Sequence, residues 1–319
     1  MYEIATSCVV VSSVCHQAHS VKCFTGIMGD NRFRLEEEEL GCKSQDFALR
    51  ELRESPETVA RSLQELRRII REDEKLYFRD DDNMLMIFLR PCKFYPESAY
   101  NLMKRVSDFK EKNAELLSNL TSVSEKDALL YSNVVNVLVD RDQHGRRILI
   151  ANVGGLWDTK KVDADHLFRL FYLVHLAAML EPETQVRGVV VILDFDKLSM
   201  KQVMAMSPTF SMRLLTFIQE AMPLRLKEVH IVKQPFLFNV VWSMFKPFIQ
   251  EKLRNRLFFH GSKMSSLHKH LDPAFMPEDY GGTKPKINYS SAEWFPVLSA
   301  VDNHLKEWST YGNVKTPKV

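Results

Sequence analysis

Several side chains in this sequence have types and spacings that could do chemistry. Asp194 closes an apolar, β-branched run from Gly188 to Phe195, and the end of a buried strand is where open α/β sheets often place a catalytic carboxylate. No partner base accompanies it, and capping a helix is an equally available duty. His268 and His270 stand two residues apart, with His260 upstream. Imidazoles ligate metals, but residues two apart on a helix face different directions, so a solvated surface pair is expected. Cys15, His19 and Cys23 recur every four residues and would share one helical face. No fourth zinc ligand is obvious, which leaves incidental thiols as the simpler reading. The GxSxG, Walker, HExxH and GxGxxG patterns are absent, and Gly154-Gly155 after a strand-like run makes no dinucleotide fingerprint. No catalytic residue, metal site or cofactor is therefore assigned, and enzymatic activity is not expected.

A different chemistry, apolar burial beside clustered cations, is written between Pro235 and Arg256, PFLFNVVWSMFKPFIQEKLRNR. Phe236, Leu237, Phe238, Val240, Val241, Trp242, Met244 and Phe245 leave a helix here almost no polar side, and Phe248 and Ile249 continue the run past Pro247. A helix apolar all round is ordinarily a buried core helix. The other reading gives it two apolar duties: one face lines a cavity, and the other meets protein in one state and lipid in another. Pro247 removes a backbone hydrogen bond and crowds the preceding turn, which supplies a hinge. Lys252 and Arg256 follow four residues apart, and Arg225 and Lys227 precede the strand-like run at Val229. They are either ordinary solvated charge or a phosphate clamp. Each cation near an anionic membrane gains about 1 kcal/mol, so four together give roughly a thousandfold preference.

The elements that must position these residues fall into two textures. From Phe33 to about Asn119 the pattern is helical. Ser55-Pro56-Glu57 is a helix start, followed by Val59, Leu63, Leu66 and Ile70 at helical spacing. Asp80 to Asp82 precede a short apolar helix stopped by Pro91, and Pro96-Glu97 opens a longer one through Phe109. After Ser118, strand-like runs at 134–139, 147–153, 188–195, 229–232 and 257–259 alternate with helical stretches at 163–180, 208–222 and 235–254. That alternation predicts an α/β sheet with helices packed on it. The stretch Asp142-Gln143-His144-Gly145 suits a hairpin. Trp294, Phe295 and Leu298 are expected to dock a C-terminal tail on the body.

Composition narrows the class. Of 319 residues, 45% are hydrophobic and the formal net charge is +2, so a packed globular chain with no bulk preference for nucleic acid is expected. Five cysteines at irregular spacing do not form a secreted disulfide framework, and reduced thiols are the simpler reading. No apolar run is long enough to span a bilayer. The start of the chain is a poor signal peptide, because Glu3 and no basic residue precedes Val9–Val11. A cytoplasmic monomer, peripheral to membranes at most, is expected. Residues 1–32 read as a disordered leader, with Met28 an alternative start.

With these residues in hand, the chain resembles the CRAL-TRIO lipid-binding family, in the branch of the alpha-tocopherol transfer protein and cellular retinaldehyde-binding protein. The match runs from about Met84 to Gly282. It is carried by IFLRPCKFYPESAYNLMK, VLVDRDQHGRRILI, FRLFYLVHLAAMLEPETQVRGVVVILDFD, MPLRLKEVHIVKQPFLFNVVWSMFKPFIQEKL and FMPEDYGG in order. The resemblance implies a helical N-terminal domain (33–120), a βαβ-type domain (121–285) with an apolar pocket, and a tail (286–319). It makes Phe236, Phe238, Val241, Trp242, Phe245, Pro247, Phe248 and Ile249 a mobile lid. It aligns Arg225, Lys227, Lys252 and Arg256 with a phosphoinositide-binding cleft, whose two further arginines fall on Cys92 and Asn101; Arg90, Lys93 and Lys104 stand nearby to compensate. Ligand-facing positions fall on Phe168, Phe171 and His175, the last two replacing serines of the tocopherol carrier. His175 is either a polar anchor for ligand or a satisfied core histidine. Trp157, Tyr172, Met179, Leu193, Phe210, Leu214, Phe217 and Ile218 are further lining candidates, with ordinary core packing as the alternative. The implied function is binding a small hydrophobic lipid (tocopherol-, retinoid- or carotenoid-like) and transferring it between membranes, with release promoted by phosphoinositide. The alternatives are a phosphoinositide-reading trafficking adaptor without essential cargo, and a lipid-modifying enzyme using Asp194 or His175.

Overall fold

A computed structural model describes residues 34–131 and 133–314; the Cys15, His19, Cys23 spacing, Met28 and the expected leader lie outside them. The chain opens with α1 (Cys42–Leu52), α2 (Pro56–Glu72), the short β1 (Leu76–Tyr77), α3 (Asp82–Leu89), α4 (Pro96–Lys112), α5 (Ala114–Leu117) and α6 (Lys126–Tyr131). The starts follow the local chemistry. Ser55 accepts from the Thr58 amide at 3.2 Å, with Pro56 in the first turn, and Asp81 accepts from Met84 at 3.3 Å. These caps satisfy amide donors that have no partner inside the helix.

Next come β2 (Val135–Val137), β3 (Arg147–Asn152), α7 (Ala164–Ala178), α8 (Pro182–Arg187), β4 (Val189–Asp194), α9 (Met200–Ala205) and α10 (Pro208–Thr216), which runs into a π-helical turn at Phe217–Ala221. Then follow β5 (Leu226–Val232), α11 (Phe238–Phe245), α12 (Glu251–Arg254), β6 (Leu257–Gly261), α13 (Met264–Leu267), α14 (Trp294–Ala300), α15 (Asp302–Thr310) and β7 (Gly312–Asn313). Strands β2 to β6 form one five-stranded sheet in sequential order. The β2–β3 pair is antiparallel and the other pairs are parallel, the α/β architecture that the alternation predicts.

Two elements differ from expectation, the end of α10 and the start of β5, while the break at Pro247 falls where it is expected. The helix expected over 208–222 gives way to π geometry at Phe217, a feature that concentrates at functional sites. The run from Pro235 to Arg254 is broken into α11, a 3-10 turn at Lys246–Phe248 and α12, as the missing amide of Pro247 requires. Strand β5 begins at Leu226, three residues early. The tail does dock. Trp294 donates its indole N–H to Asn136 at 2.9 Å, and Leu298 is fully buried. Trp308 stacks on Phe88 and donates to the Tyr172 hydroxyl at 3.0 Å, which ties α15 to α3 and α7.

The two faces of the sheet are covered differently. On the outer face Ile148, Ile150, Val190 and Ile192 pack under Leu267, Leu271, Met276 and Tyr280. At the edge of that face two histidines are brought together by a bulge. Ile231 pairs with Phe259 and Val232 with Gly261, so His260 is an extra residue in β6. Its Nε2 lies 3.0 Å from His230 Nδ1, its Nδ1 lies 2.9 Å from Ser266 Oγ, and His230 Nε2 lies 3.2 Å from Glu228. A carboxylate only accepts, so His230 donates through Nε2, His260 donates to His230 Nδ1, and Ser266 donates to His260. Both rings are neutral in this chain. The expected solvated pair, His268 and His270, is only half-exposed, with His268 Nε2 2.9 Å from the Tyr280 carbonyl oxygen, and nearby His260 is buried. No cluster with metal-binding geometry occurs among the described residues.

Burial holds the pKa of His230 down and that of His260 down to about 4, with the neighbouring imidazoles adding to the His260 shift. Above pH 6.5 neither the folded nor the unfolded imidazoles are charged. Below it the unfolded chain takes up protons that folded His260 refuses until about pH 4. Stability is therefore expected to fall between these limits, by about 1.4 kcal/mol per pH unit for each histidine kept neutral. Urea unfolding midpoints measured over this range, for the native chain and for His260→Gln, check this; the variant should show a shallower slope.

Candidate functional site

The inner face of the sheet carries the site. Val191 and Leu193 lie on it at the middle of β4, in register with Leu149 and Ala151 of β3 and with Val229 and Ile231 of β5. A central strand covered on both faces should bury such residues completely. Their outer-face neighbours Val190 and Ile192 are indeed 0% exposed, but Val191 and Leu193 remain partly exposed. The same incomplete cover recurs at Leu214 and Ile218 of the α10 layer, at Leu237, Trp242, Met244 and Phe245 around α11, and at Leu257 of β6. All of them pack against the main hydrophobic core yet stay incompletely buried.

Of the sequence-predicted lining residues, Leu193, Leu214 and Ile218 belong to this surface. Trp157 is fully buried and bonded through its indole N–H to the Val162 carbonyl at 2.8 Å. Phe168, Tyr172 and Phe217 form an aromatic cluster with Phe109 of α4. Phe171, Phe210 and Met179 are buried. His175 lies edge-on to Phe217, with Nδ1 at 2.5 Å from the Phe171 carbonyl oxygen. A carbonyl oxygen only accepts, so Nδ1 carries the proton, and burial lowers the pKa of the ring. The neutral ring keeps Nε2 as an acceptor. Val191, Leu237, Met244 and Leu257 were not named from sequence. Val191 was within reach, because it lies two residues before Leu193 on the same strand face.

The Pro235 segment is a surface element rather than a core helix. Phe238 and Val241 are buried, whereas Phe236 is 90% exposed and Val240 is exposed as well. Of the other lid positions, Ile249 is buried, Phe248 and Pro247 are exposed, and Trp242 packs edge-on to Phe259. Beside it, α9 exposes Met204 (77%) and Met200, one helical turn apart, while α10 exposes Met212 and β6 exposes Phe259. The end of the segment is latched to the π-helical turn. Gln219 donates to the Phe248 carbonyl at 3.1 Å and accepts from the Gln250 amide at 2.8 Å, and the Gln250 side chain donates to Glu220 at 3.0 Å.

At the opposite end of β5 the cations gather. Val189 pairs with Leu226 and Val190 with Glu228, so Lys227 is the extra residue of a bulge, a device that re-aims a side chain. Burial pulls the pKa of Lys227 down to about 8, and Arg225, Arg256 and Arg146 add to the effect against Glu51. Burial lowers Arg225 and Arg256 too. Arg225, Lys227 and Arg256 thus lie close together. Lys252, of the same predicted set, and Arg105 act on Cys92, whose thiol burial raises to about 11 against both cations. Arg105, not named from sequence, occupies the neighbourhood where two cleft arginines were missing. Arg90 does not compensate, because its guanidinium is held by Glu54 at 2.7 Å and Gln185 at 2.6 Å. Asp194 is likewise engaged, accepting from Lys233 at 2.9 Å, Tyr280 at 3.1 Å and the Asp196 amide at 2.9 Å.

Residues 131–282 match the CRAL/TRIO domain. Clavesin-1 of Rattus norvegicus is 30% identical over 254 residues, covering 79% of this chain and 71% of the relative. Clavesin-2 of Homo sapiens is 30% identical over 264 residues, covering 82% and 79%. The crystal structure of Sfh5 superposes with a TM-score of 0.49 at 16% identity, over 80% of this chain and 92% of that one.

The cation cluster depends on a glycine. Gly188 has φ +88°, and a Cβ there would lie 2.3 Å from the Arg225 carbonyl oxygen and 3.1 Å from Lys227 Cγ. Gly188→Ala is expected to push β5 away from β4 and lower the unfolding temperature, which thermal unfolding checks.

Proposed function

The chain belongs to the CRAL/TRIO domain family, and from that premise we propose that it carries a small hydrophobic lipid and exchanges it at membranes bearing phosphoinositide. Family membership implies lipid binding; the cargo class and the role of the headgroup are our own reading. The observation that carries it is the incomplete burial of Val191 and Leu193 at the centre of the sheet, shared by Leu214 and Ile218 of the α10 layer and Trp242 and Met244 of the lid, all packed on the same core. Empty apolar space is unfavourable, and a lipid fills it at about 25 cal/mol per Å² of surface removed from water. A bilayer offers the lipid a comparable gain, so selection rests on chamber shape and polar contacts. The largely apolar character of the surface suits a tocopherol- or retinoid-like cargo; His175 lies in a separate small cavity with Val174, Ala177 and Ala178. No helix among the described residues is long and apolar enough to cross a membrane, in keeping with peripheral, reversible contact.

Magnitudes assign the steps. Swinging α11 outward into water would expose Phe238 and Val241 at about 1.5–3 kcal/mol each. The lid therefore stays shut in solution and opens where hydrocarbon replaces its protein contacts. Phe236, Met204 and Met200, already exposed around it, enter the interface first. Each of Arg225, Lys227, Lys252 and Arg256 adds about 1 kcal/mol near an anionic surface. Apolar insertion supplies most of the retention, and the cations choose the membrane. Crowding among Arg225, Lys227 and Arg256 leaves positive charge that a polyanionic headgroup neutralises.

Neutralising all four cations to Gln should slow lipid transfer between phosphoinositide vesicles about a hundredfold while leaving ligand affinity within threefold. Unchanged transfer would count against the clamp. Organic extraction of the purified chain, followed by mass spectrometry, should recover one dominant lipid; a chain that carries none is an adaptor instead. Lys227 predicts a pH dependence. A bound anion raises its lowered pKa, so headgroup affinity is full below about pH 8 and declines as the pH rises through it. Vesicle binding from pH 7 to 9.5 should weaken in the native chain and stay flat in Lys227→Arg.

A further inference from the structure

A second cavity opens on the other side of the sheet, away from the lid. It has a volume of about 340 Å³ and sits where β3, β4 and β5 end, lined among others by Asn136, Asn152, Asp194, Asp196, Lys197 and Lys233. The crevice outside the carboxyl ends of parallel strands is where open α/β sheets place ligands, and the proposed lipid site leaves it unused. Its wall is built rather than incidental. Val153 and Gly154 both donate to the Asp194 carbonyl, at 2.9 and 3.2 Å, and Gly155 donates to that of Asp196 at 2.7 Å. A Cβ at Gly154 would lie 2.0 Å from the Asp196 carbonyl oxygen, so only glycine lets the two loops close. Lys197 and Lys233, each just past a strand end, both adopt positive φ, +55° and +52°. Non-glycine residues held this way concentrate at functional sites.

The polar groups left over define the occupant. Asn136 is only 4% exposed; its Oδ1 takes the Trp294 indole N–H, and its amide nitrogen has no partner among the described residues. Asn152 spends its amide nitrogen on the Asn133 carbonyl at 2.7 Å, which leaves its Oδ1 as an acceptor. Lys233 is neutralised by Asp194 at 2.9 Å, while Lys197 and the Asp196 carboxylate are exposed. Ile287 and Tyr289 add an apolar side. The lining offers donors and acceptors in alternation. Asp194, Asp196 and Asp279 stand against Lys197 and Lys233, so no positive excess exists to hold an anion. A ligand that donates and accepts at once, carries no charge and has one apolar face meets these terms. We propose that this cavity binds a neutral polyhydroxylated small molecule of about the size of one sugar ring, independently of the lipid.

The Trp294 indole N–H reports on the site through Asn136. In ¹⁵N-labelled full chain, titration with glucose, myo-inositol and glycerol should shift that resonance, assigned with Trp294→Phe, saturably in the millimolar range for at least one of the ring polyols. Asp196→Ala, at an exposed position, should weaken the response at least tenfold with an unchanged unfolding temperature, and Asn152→Ala should do the same. No saturable shift with any polyol overturns the proposal, as does saturation by inorganic phosphate alone. A shift that survives both substitutions places the ligand elsewhere and overturns it too.

Discussion

Val191 and Leu193 occupy the centre of a five-stranded sheet, and the layer above them does not cover them fully. Most of what is unusual in the molecule follows from that condition. On the outer face, Leu267, Leu271, Met276 and Tyr280 seal the same strand completely. On the inner face the covering layer is a helix that changes to π geometry and a second helix cut short by Pro247. A continuous, straight helix pair would have packed the strand shut. The irregular elements leave apolar side chains at the centre of the sheet incompletely buried, the surface on which the proposed lipid site rests.

Electrostatics places a second strain at the other end of the same strands. The bulge at Lys227 and the close approach at Gly188 hold Arg225, Lys227 and Arg256 together more tightly than water alone would favour. Burial first, and then the neighbouring arginines, bring the Lys227 pKa down to about 8. Glu51 offsets only part of the crowding on Arg225 and Lys227, and polyvalent anions suit three converging cations better than single carboxylates do. Bulges serve the outer face as well, where His260 is turned onto His230 and the relay ends on Glu228.

Much of this was legible beforehand. Helix starts at Ser55 and Asp81, the hydrophobic runs of β3 to β6 and the break at Pro247 are local chemistry, and each appears where residue type predicts. The lid was half legible. Its composition could mean a core helix or a helix with two apolar faces, and only the 90% exposure of Phe236 beside buried Val241 decides between them. The π turn at Phe217 has no composition signal. Neither does the position of Arg105 of α4, which acts on the Cys92 thiol alongside Lys252.

The amino-acid order by itself determined element types, their sequence along the chain and the positions of its cations, because propensity, capping and period are properties of neighbouring residues. Tertiary structure alone decided which cations lie close together, which arginine is already spent, that His260 and His230 are neutral partners rather than solvated, and that the centre of the sheet is incompletely buried on one side. Register, bulges and burial arise between residues far apart in the chain. A one-residue shift in strand pairing changes which side chains meet, and nothing in local spacing records it.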